Sequence, residues 1–153
     1  MYAVIRIRGL KGVRPEIRST MEKLQLDRKN HCVLVPEKAD IRGMLEKARD
    51  YVAYGNVKEE TLIKLVEKRG RGKGDVLITP AFLKEHQMDS AKGVVDALVK
   101  GTKTLLQMGI KPVFRLNAPR KGFGKKGIKQ SAGLKGPLGF HAEGMDKMLV
   151  QMM

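Results

Sequence analysis

Long apolar runs and paired cysteines are both missing from this chain of 153 residues. Its apolar runs span only a few residues, far short of the roughly 20 that cross a bilayer, so no membrane segment is predicted. Arginines at positions 6 and 8 interrupt the apolar residues near the N-terminus, so the uninterrupted apolar region of a secretory signal peptide is missing. The single cysteine, Cys32, can form no internal disulfide and lies in an apolar run, which favours a reducing, intracellular compartment and a buried side chain.

Groupings of side chains that are typical of catalysis or metal binding are also missing. The histidines at positions 31, 86 and 141 lie far apart, with no cysteine or carboxylate at a ligand-like spacing. The glycines of residues 122–127, GFGKKG, have the spacing of a dinucleotide-binding turn, but the glycines and proline that follow disfavour the helix this motif requires. The sequence therefore predicts no enzyme, no metal, no cofactor and no small-molecule substrate. A phosphate-binding enzyme that uses this loop remains an alternative.

Positive charge, in contrast, is abundant. The chain has 31 Lys and Arg against 16 Asp and Glu, a formal net charge of +15. Residues 97–142 contain ten basic side chains and no acidic one, and within them residues 117–141 combine six basic residues with six glycines. A loop of glycine and lysine can follow an irregular groove in folded RNA while its ammonium groups meet phosphates. The charge therefore predicts a polyanionic partner.

Four basic patches supply the predicted RNA-binding residues. The first, on the first strand and the turn after it, comprises Arg6, Arg8, Lys11 and Arg14. The second comprises Arg28, Lys29 and Asn30, and the third comprises Lys68, Arg69, Arg71 and Lys73. The fourth, in and before the glycine-rich segment, comprises Arg115, Arg120, Lys121, Lys125, Lys126, Lys129 and Lys135. One patch alone is as well explained by solubility, but four together favour nucleic-acid binding.

The scarcity of aromatic residues indicates how RNA would be bound. Tryptophan is absent and aromatics make up 5% of the chain, so a base-stacking platform is not evident. Recognition of RNA shape and backbone is predicted instead. Phe123 and Phe140 bracket the basic glycine-rich loop. We favour the interpretation that they anchor the ends of that loop to the protein core, with stacking on bases as the alternative.

Hydrophobic periodicity predicts an α/β (α+β) fold whose first part, residues 1–58, is a small three-stranded β-α-β-α-β core. Its strands are predicted at residues 2–8, 31–37 and 53–58, the second of them interior to the sheet. The two helices begin at Pro15 and after Asp40, which is predicted as an N-cap. Short connections of this kind place both helices on one face of an open sheet.

Residues 59–153 are predicted to form an α/β extension that carries the basic glycine-rich loop. A helix capped by Asn56 ends at Gly70, and a charged loop follows. Further elements are predicted as a strand at residues 75–79, a brief helix capped by Thr79, a helix from Ser90 to Met108, a strand at residues 113–116, and a tail helix that packs through Met145, Met148, Leu149 and Met152.

Several stretches occur in a characteristic order along the whole chain. They are YAVIRIRGLKGVRPEIRSTMEKLQLDRKN, IRGMLEKARDYVAYGNV and EKRGRGK, followed by a basic tail after Pro112. In this order they resemble the large-subunit ribosomal protein family called L-thirty in bacteria and archaea and L-seven in eukaryotes. The chain lacks the long basic N-terminal arm of the eukaryotic proteins, so it resembles the archaeal long form.

This resemblance implies a structural component of the large ribosomal subunit, in the cytoplasm, that binds large-subunit rRNA. It implies 5S rRNA and neighbouring ribosomal proteins as further candidate partners. It also implies that RNA contacts come from the loop of residues 26–30, from Arg42 and Gly43 at the start of the second helix, and from the turn that carries Arg8, Lys11 and Arg14. The alternative is a general nucleic-acid-binding protein outside the ribosome, which would bind duplex DNA as tightly as rRNA.

Overall fold

A computed structural model of the chain describes residues 1–85, 88, 90–123, 127–134, 136–142 and 144–153. The strands in these residues are β1 (Tyr2–Arg6), β2 (His31–Val35), β3 (Val52–Asn56), β4 (Val113–Arg115) and β5 (Gly139–His141). The α-helices are α1 (Pro15–Lys23), α2 (Ala39–Ala48), α3 (Glu59–Arg69), α4 (Pro80–Glu85), α5 (Ala91–Val99) and α6 (Met145–Met152). The mixed α/β fold is thereby confirmed.

The strands form one sheet in the order β4-β2-β1-β3-β5. Strand β1 lies at the centre and pairs antiparallel with both β2 and β3, so that Ile5 lies opposite Cys32 on one side and Ala53 on the other. Strand β4 adds to β2 antiparallel and β5 adds to β3 parallel. The predicted three-stranded core is therefore present, but its central strand is β1, whereas the apolar β2 was expected there; β2 is interior to the sheet because β4 pairs with it. Residues after position 58 supply both edge strands of the same sheet.

The two faces of the sheet carry separate apolar clusters. Helices α1 and α2 cover one face, where Val4, Met21 and Leu45 are fully buried. Helices α3, α5 and α6 cover the other face around the equally buried Leu65 and Phe114. Both helices of the predicted core thus lie on one face, as expected, and the extension contributes the second helical layer. The tail helix is also confirmed, since α6 buries Met145, Leu149 and Met152.

Helix starts were predicted with mixed success. Thr79 and Ser90 are the expected caps, because the Thr79 and Ser90 hydroxyls accept bonds of 3.3 Å from the backbone N–H groups of Phe82 and Gly93. The predictions for Asp40 and Asn56 are wrong, since Lys38 and Lys58 hold the N-cap positions. Asp40 instead lies in the first turn of α2, where its charge still favours the helix dipole. Asn56 remains paired with Tyr2 as the last residue of β3 and so cannot start a helix.

Two predicted elements of the extension differ from the structure. The helix that begins after Ser90 ends at Val99 instead of continuing to Met108, because Gly101 turns the chain with a φ of +69°. Leu105 and Met108 are nevertheless buried, packing from the turns that follow. Residues 75–79 do not form a strand, since only an isolated bridge joins Leu77 to Arg71.

Strand β5, which lies inside the glycine-rich segment, was not predicted. Its pairing requires a glycine opposite, because a Cβ at Gly55 would lie 2.2 Å from the backbone oxygen of His141. No side chain fits at that distance, so Gly55 permits β5 to approach β3. The last part of the basic segment is thereby fixed to the sheet edge.

Candidate nucleic-acid interface

One end of the sheet brings the first two basic patches together. Backbone hydrogen bonds define this end: the N–H of Asn30 donates to the Arg6 carbonyl over 2.7 Å, and the N–H of Arg8 donates to the Tyr51 carbonyl over 3.1 Å. A Cβ at Gly9 would lie 3.2 Å from Cε of Lys29, so the turn after β1 and the loop before β2 are in contact. We call the set Arg8, Lys11, Arg14, Arg28 and Lys29 the sheet-end surface.

Four members of the sheet-end surface are exposed cations. Lys11, Arg14, Arg28 and Lys29 are all exposed, and among the described residues no carboxylate lies within 4.0 Å of their charged groups. Their donors are therefore available to an external anion. Phosphate oxygens are well matched to such unpaired ammonium and guanidinium groups.

Arg8 is held more firmly than the other members. Its guanidinium carbon lies 4.8 Å from the centroid of the Tyr51 ring, and Nη1 donates to the Asp50 carbonyl over 3.0 Å. A guanidinium has five N–H donors, so most of them stay available for a phosphate. The stacked, half-buried side chain is thus oriented before any partner binds.

Arg6 lies at the same end of the sheet but points inward. It is 4% exposed, and its guanidinium donates to the backbone carbonyls of Arg8 (2.9 Å), Leu26 (2.8 Å) and Asp27. Burial lowers the pKa of Arg6, an effect that the nearby Asp27 carboxylate opposes. The bonds to Leu26 and Asp27 hold the 26–30 loop against β1. Arg6 is therefore mainly a structural residue beneath the surface, and a direct contact with RNA stays a prediction.

Asn30 also shapes this loop through its backbone. It adopts a left-handed conformation with φ +63°, which asparagine tolerates better than most residues. Its carbonyl accepts a 3.0 Å bond from the N–H of Leu116, just after β4. The loop that carries Arg28 and Lys29 is thus tied to both neighbouring strands.

The third patch lies beside strand β4. Lys68 and Lys73 are exposed, whereas Arg69 and Arg71 are half-buried, with Arg69 donating to the carbonyl of the C-terminal Met153. The loop is tied to the sheet because the N–H of Lys111 donates to the Arg71 carbonyl over 2.8 Å. This arrangement leaves Lys68 and Lys73 as the accessible charges of the patch.

Asp75 links this loop to the sheet end. Its carboxylate accepts hydrogen bonds from Lys111 and, over 3.3 Å, from Arg115, and the Lys111 bond is the main reason why the pKa of Asp75 is lowered. Arg115 in turn pairs across the sheet with His31. The pKa of His31 is lowered by burial and then by Arg115, so this imidazole is neutral at neutral pH and adds no charge here.

Apart from Arg115 in β4, the described residues of the fourth patch lie beside α6 and beside β5. Arg120 and Lys121 are exposed next to the end of α6, where the N–H of Arg120 donates to the Gln151 carbonyl over 3.2 Å. Lys129 is exposed beside β5, where it lines the same cleft as Phe140. The predicted residues Lys125, Lys126 and Lys135 lie outside the described residues. In its described part, the segment therefore places exposed cations both beside the end of α6 and beside β5.

The remaining predicted residues lie apart from the sheet-end surface. Arg42 is exposed in α2, which starts beyond the opposite end of β2. Phe123 packs against the core, as the anchoring interpretation expected, but Phe140 is 49% exposed on the edge strand β5. Cys32 is buried as predicted, and burial raises the pKa of its thiol to about 12.

The described part of the chain has neither a metal-binding cluster nor a membrane-spanning helix. No group of three or more His, Cys, Asp or Glu residues in the described ranges is placed to hold a metal ion. Nor does any described helix have the length and apolar character needed to span a membrane.

Comparison with known proteins gives a consistent result. The sequence profile of the family described as Ribosomal protein L30p/L7e matches residues 2–52. The chain is 39% identical over 151 residues to a protein of Nanoarchaeum equitans and 41% identical over 152 residues to one of Methanococcus vannielii. These alignments cover 99% of this chain and 97% and 99% of the respective relatives. A protein of Methanothrix thermoacetophila is 42% identical over 142 residues, which is 92% of this chain and 93% of that relative. All three relatives are named large ribosomal subunit protein uL30.

Proposed function

The chain belongs to the ribosomal protein L30p/L7e family, and we propose that it is a structural protein of the large ribosomal subunit that binds rRNA through its sheet-end surface. It acts in the cytoplasm as part of the ribosome and catalyses no reaction. Its role is to neutralise phosphates where RNA strands come close together, and thereby to stabilise the folded RNA.

The observation that carries this proposal is a group of four exposed cations on two adjoining loops, none of them paired with a carboxylate in the described part of the chain. Lys11, Arg14, Arg28 and Lys29 project from loops that backbone bonds and the buried Arg6 hold in place. Loops that are ordered before binding lose less conformational entropy when they meet a partner. The arrangement therefore suits recognition of a fixed phosphate pattern in folded RNA.

The other basic patches extend this contact. Arg115, Lys68 and Lys73 continue the positive surface along the β4 side, and Arg120 and Lys121 lie next to the end of α6. We propose that these residues contact further rRNA segments. Family membership supports 5S rRNA and neighbouring ribosomal proteins as additional partners.

Binding measured across a salt series tests this proposal. The affinity of the full chain is measured for large-subunit rRNA, for unrelated structured RNA of the same length and for duplex DNA, from about 50 to 200 mM salt. Counterion release makes all three affinities fall as salt rises, with a slope on the order of −0.7 to −0.9 per phosphate contact. We expect a preference for the ribosomal RNA of at least about tenfold to persist at the higher salt. Coincident curves would instead show a general polyanion binder.

A further inference from the structure

Three of the seven aromatic residues in this chain form one ring cluster that extends from the central strand β1 across β3 to the edge strand β5. The ring centroids of Tyr54 and Phe140 are 5.6 Å apart, and that of Tyr2 lies 6.2 Å from Tyr54 and 6.4 Å from Phe140. Tyr54 lies opposite Phe140 where β3 pairs with β5. Tyr54 also belongs to the apolar core cluster on the sheet face that α1 and α2 cover. The rings therefore share the face on which α1 and α2 pack.

Phe140 is the exposed member of the cluster. It is 49% exposed, whereas Tyr54 is 5% exposed. A large apolar side chain on an edge strand, backed by other rings, presents an aromatic surface to solvent in a fixed orientation. Single exposed apolar residues are common, so this surface is informative only together with what surrounds it.

The ring borders an open cleft of about 440 Å³ with polar walls. Its lining includes Glu46 and Arg49 at the end of α2, and Lys129 from the glycine-rich segment. Clefts of roughly 300 Å³ and above accommodate small planar ligands. The cleft thus combines an aromatic surface with charged groups of both signs.

The carboxylate of Glu46 is held in place at this cleft. Tyr54 Oη donates to Glu46 Oε2 over 3.1 Å, and Arg49 Nη1 donates to Glu46 Oε1 over 2.7 Å. These two bonds lower the pKa of Glu46, the Arg49 bond more than the Tyr54 bond, so the side chain stays ionised. An ionised carboxylate has about four acceptor sites, so lone pairs remain for the N–H groups of a further partner.

We propose that this cleft binds a single unpaired base of rRNA, stacked on Phe140, with an N–H edge of the base facing Glu46 and a flanking phosphate near Lys129. The proposal rests on the proposed function, since it names the part of the RNA that this region recognises. Stacking on an aromatic ring combined with hydrogen bonds to the base edge is the usual way in which proteins recognise unpaired RNA bases.

The occupant is a base within the RNA rather than a free nucleotide. Stacking one base on one ring contributes only a modest share of binding free energy, so a free nucleotide would be held weakly. Once the sheet-end surface and other basic residues hold the RNA, the same base is present at high effective concentration. A protein segment in the cleft is the competing possibility, and the experiments below distinguish it.

Substitutions at Phe140 give the first test. Phe140→Leu keeps an apolar side chain but removes the ring, and Phe140→Tyr keeps the ring. We expect Phe140→Leu to weaken binding to protein-free large-subunit rRNA about 5- to 100-fold, and Phe140→Tyr to bind as the natural chain does. Because no charge is removed, the slope of affinity against salt stays unchanged. Equal affinity of Phe140→Leu and the natural chain would overturn the proposal.

A tryptophan reporter gives the second test. The chain contains no tryptophan, so Phe140→Trp introduces a single fluorophore whose emission a stacked base quenches. Leu106→Trp is the matched control, since Leu106 is 67% exposed and lies outside the cleft. We expect saturating rRNA to quench the Phe140→Trp emission by about half or more and the control much less.

The outcomes separate this proposal from the proposed function. Preferential rRNA binding without quenching at position 140 contradicts the base site and leaves the ribosomal role intact. Quenching that appears only when other ribosomal proteins are added contradicts it too, because it shows a protein occupant. If the natural chain binds large-subunit rRNA no more tightly than unrelated RNA or duplex DNA, the proposed function itself is contradicted.

Discussion

Replacing Lys11, Arg14 and Lys29 together with glutamine should lower the affinity for large-subunit rRNA about 100- to 500-fold at about 100 mM salt. These side chains are exposed and unpaired among the described residues, so each is expected to neutralise one phosphate. Losing three such contacts also makes the salt dependence shallower by about 2 to 3 units of slope. Both quantities come from one salt titration of each protein.

A matched variant shows whether RNA affinity depends on where the charges lie or only on how many there are. Lys64, Lys92 and Lys100 are exposed on or at the ends of α3 and α5, on the other helical layer. Replacing these three with glutamine removes the same charge, and we expect affinity to fall by less than about tenfold. Circular dichroism of both variants checks that they fold. Equal losses in the two variants would mean that net charge alone determines binding.

The buried Arg6 should affect stability more than any basic residue of the sheet-end surface. Arg6→Met keeps the length of the apolar stem but removes the donors to the carbonyls of Arg8, Leu26 and Asp27. Hydrogen bonds from a charged group stabilise more than neutral ones, and a buried carbonyl without a donor is costly. We expect the free energy of unfolding to fall by about 2 to 4 kcal/mol, measured by urea denaturation.

Arg8→Gln is the control for this prediction. Arg8 lies two residues further along, but it is half-buried, stacks on the ring of the half-buried Tyr51 and donates a hydrogen bond to one carbonyl. Its replacement should lower the free energy of unfolding by less than about 1 kcal/mol while weakening RNA binding. If the two variants were equally stable, the structural role assigned to Arg6 would be wrong.

Arg6 also shows why the site could be predicted only in part from the sequence. Alternation along YAVIRIR correctly identifies a strand, and it places Arg6 and Arg8 on the same, polar side. The burial of Arg6 depends on the carbonyls of residues 26 and 27, which fold back over the end of β1. That contact spans about twenty residues of sequence, and no local pattern reports it.

The core was easier to predict than the extension for a similar reason. Strands and helices up to position 58 have strong apolar periodicity, and the structure has them in the expected order. Strand β5 has three residues and no periodicity, and it pairs only because Gly55 leaves room for His141. That pairing places Phe140 on an edge strand, where it is 49% exposed, whereas Phe123 packs against the core. The residues next to each phenylalanine in the sequence do not show this difference.

Photocrosslinking inside assembled large subunits tests the central claim most directly. A photoreactive residue is placed at Lys29, in the sheet-end surface, and in a second protein at Lys92, which is exposed on α5. Each protein is assembled into subunits, which are irradiated, and the crosslinked partner is identified. The account predicts crosslinks to rRNA from position 29 and few or none from position 92. Crosslinks from position 29 to protein alone would contradict it.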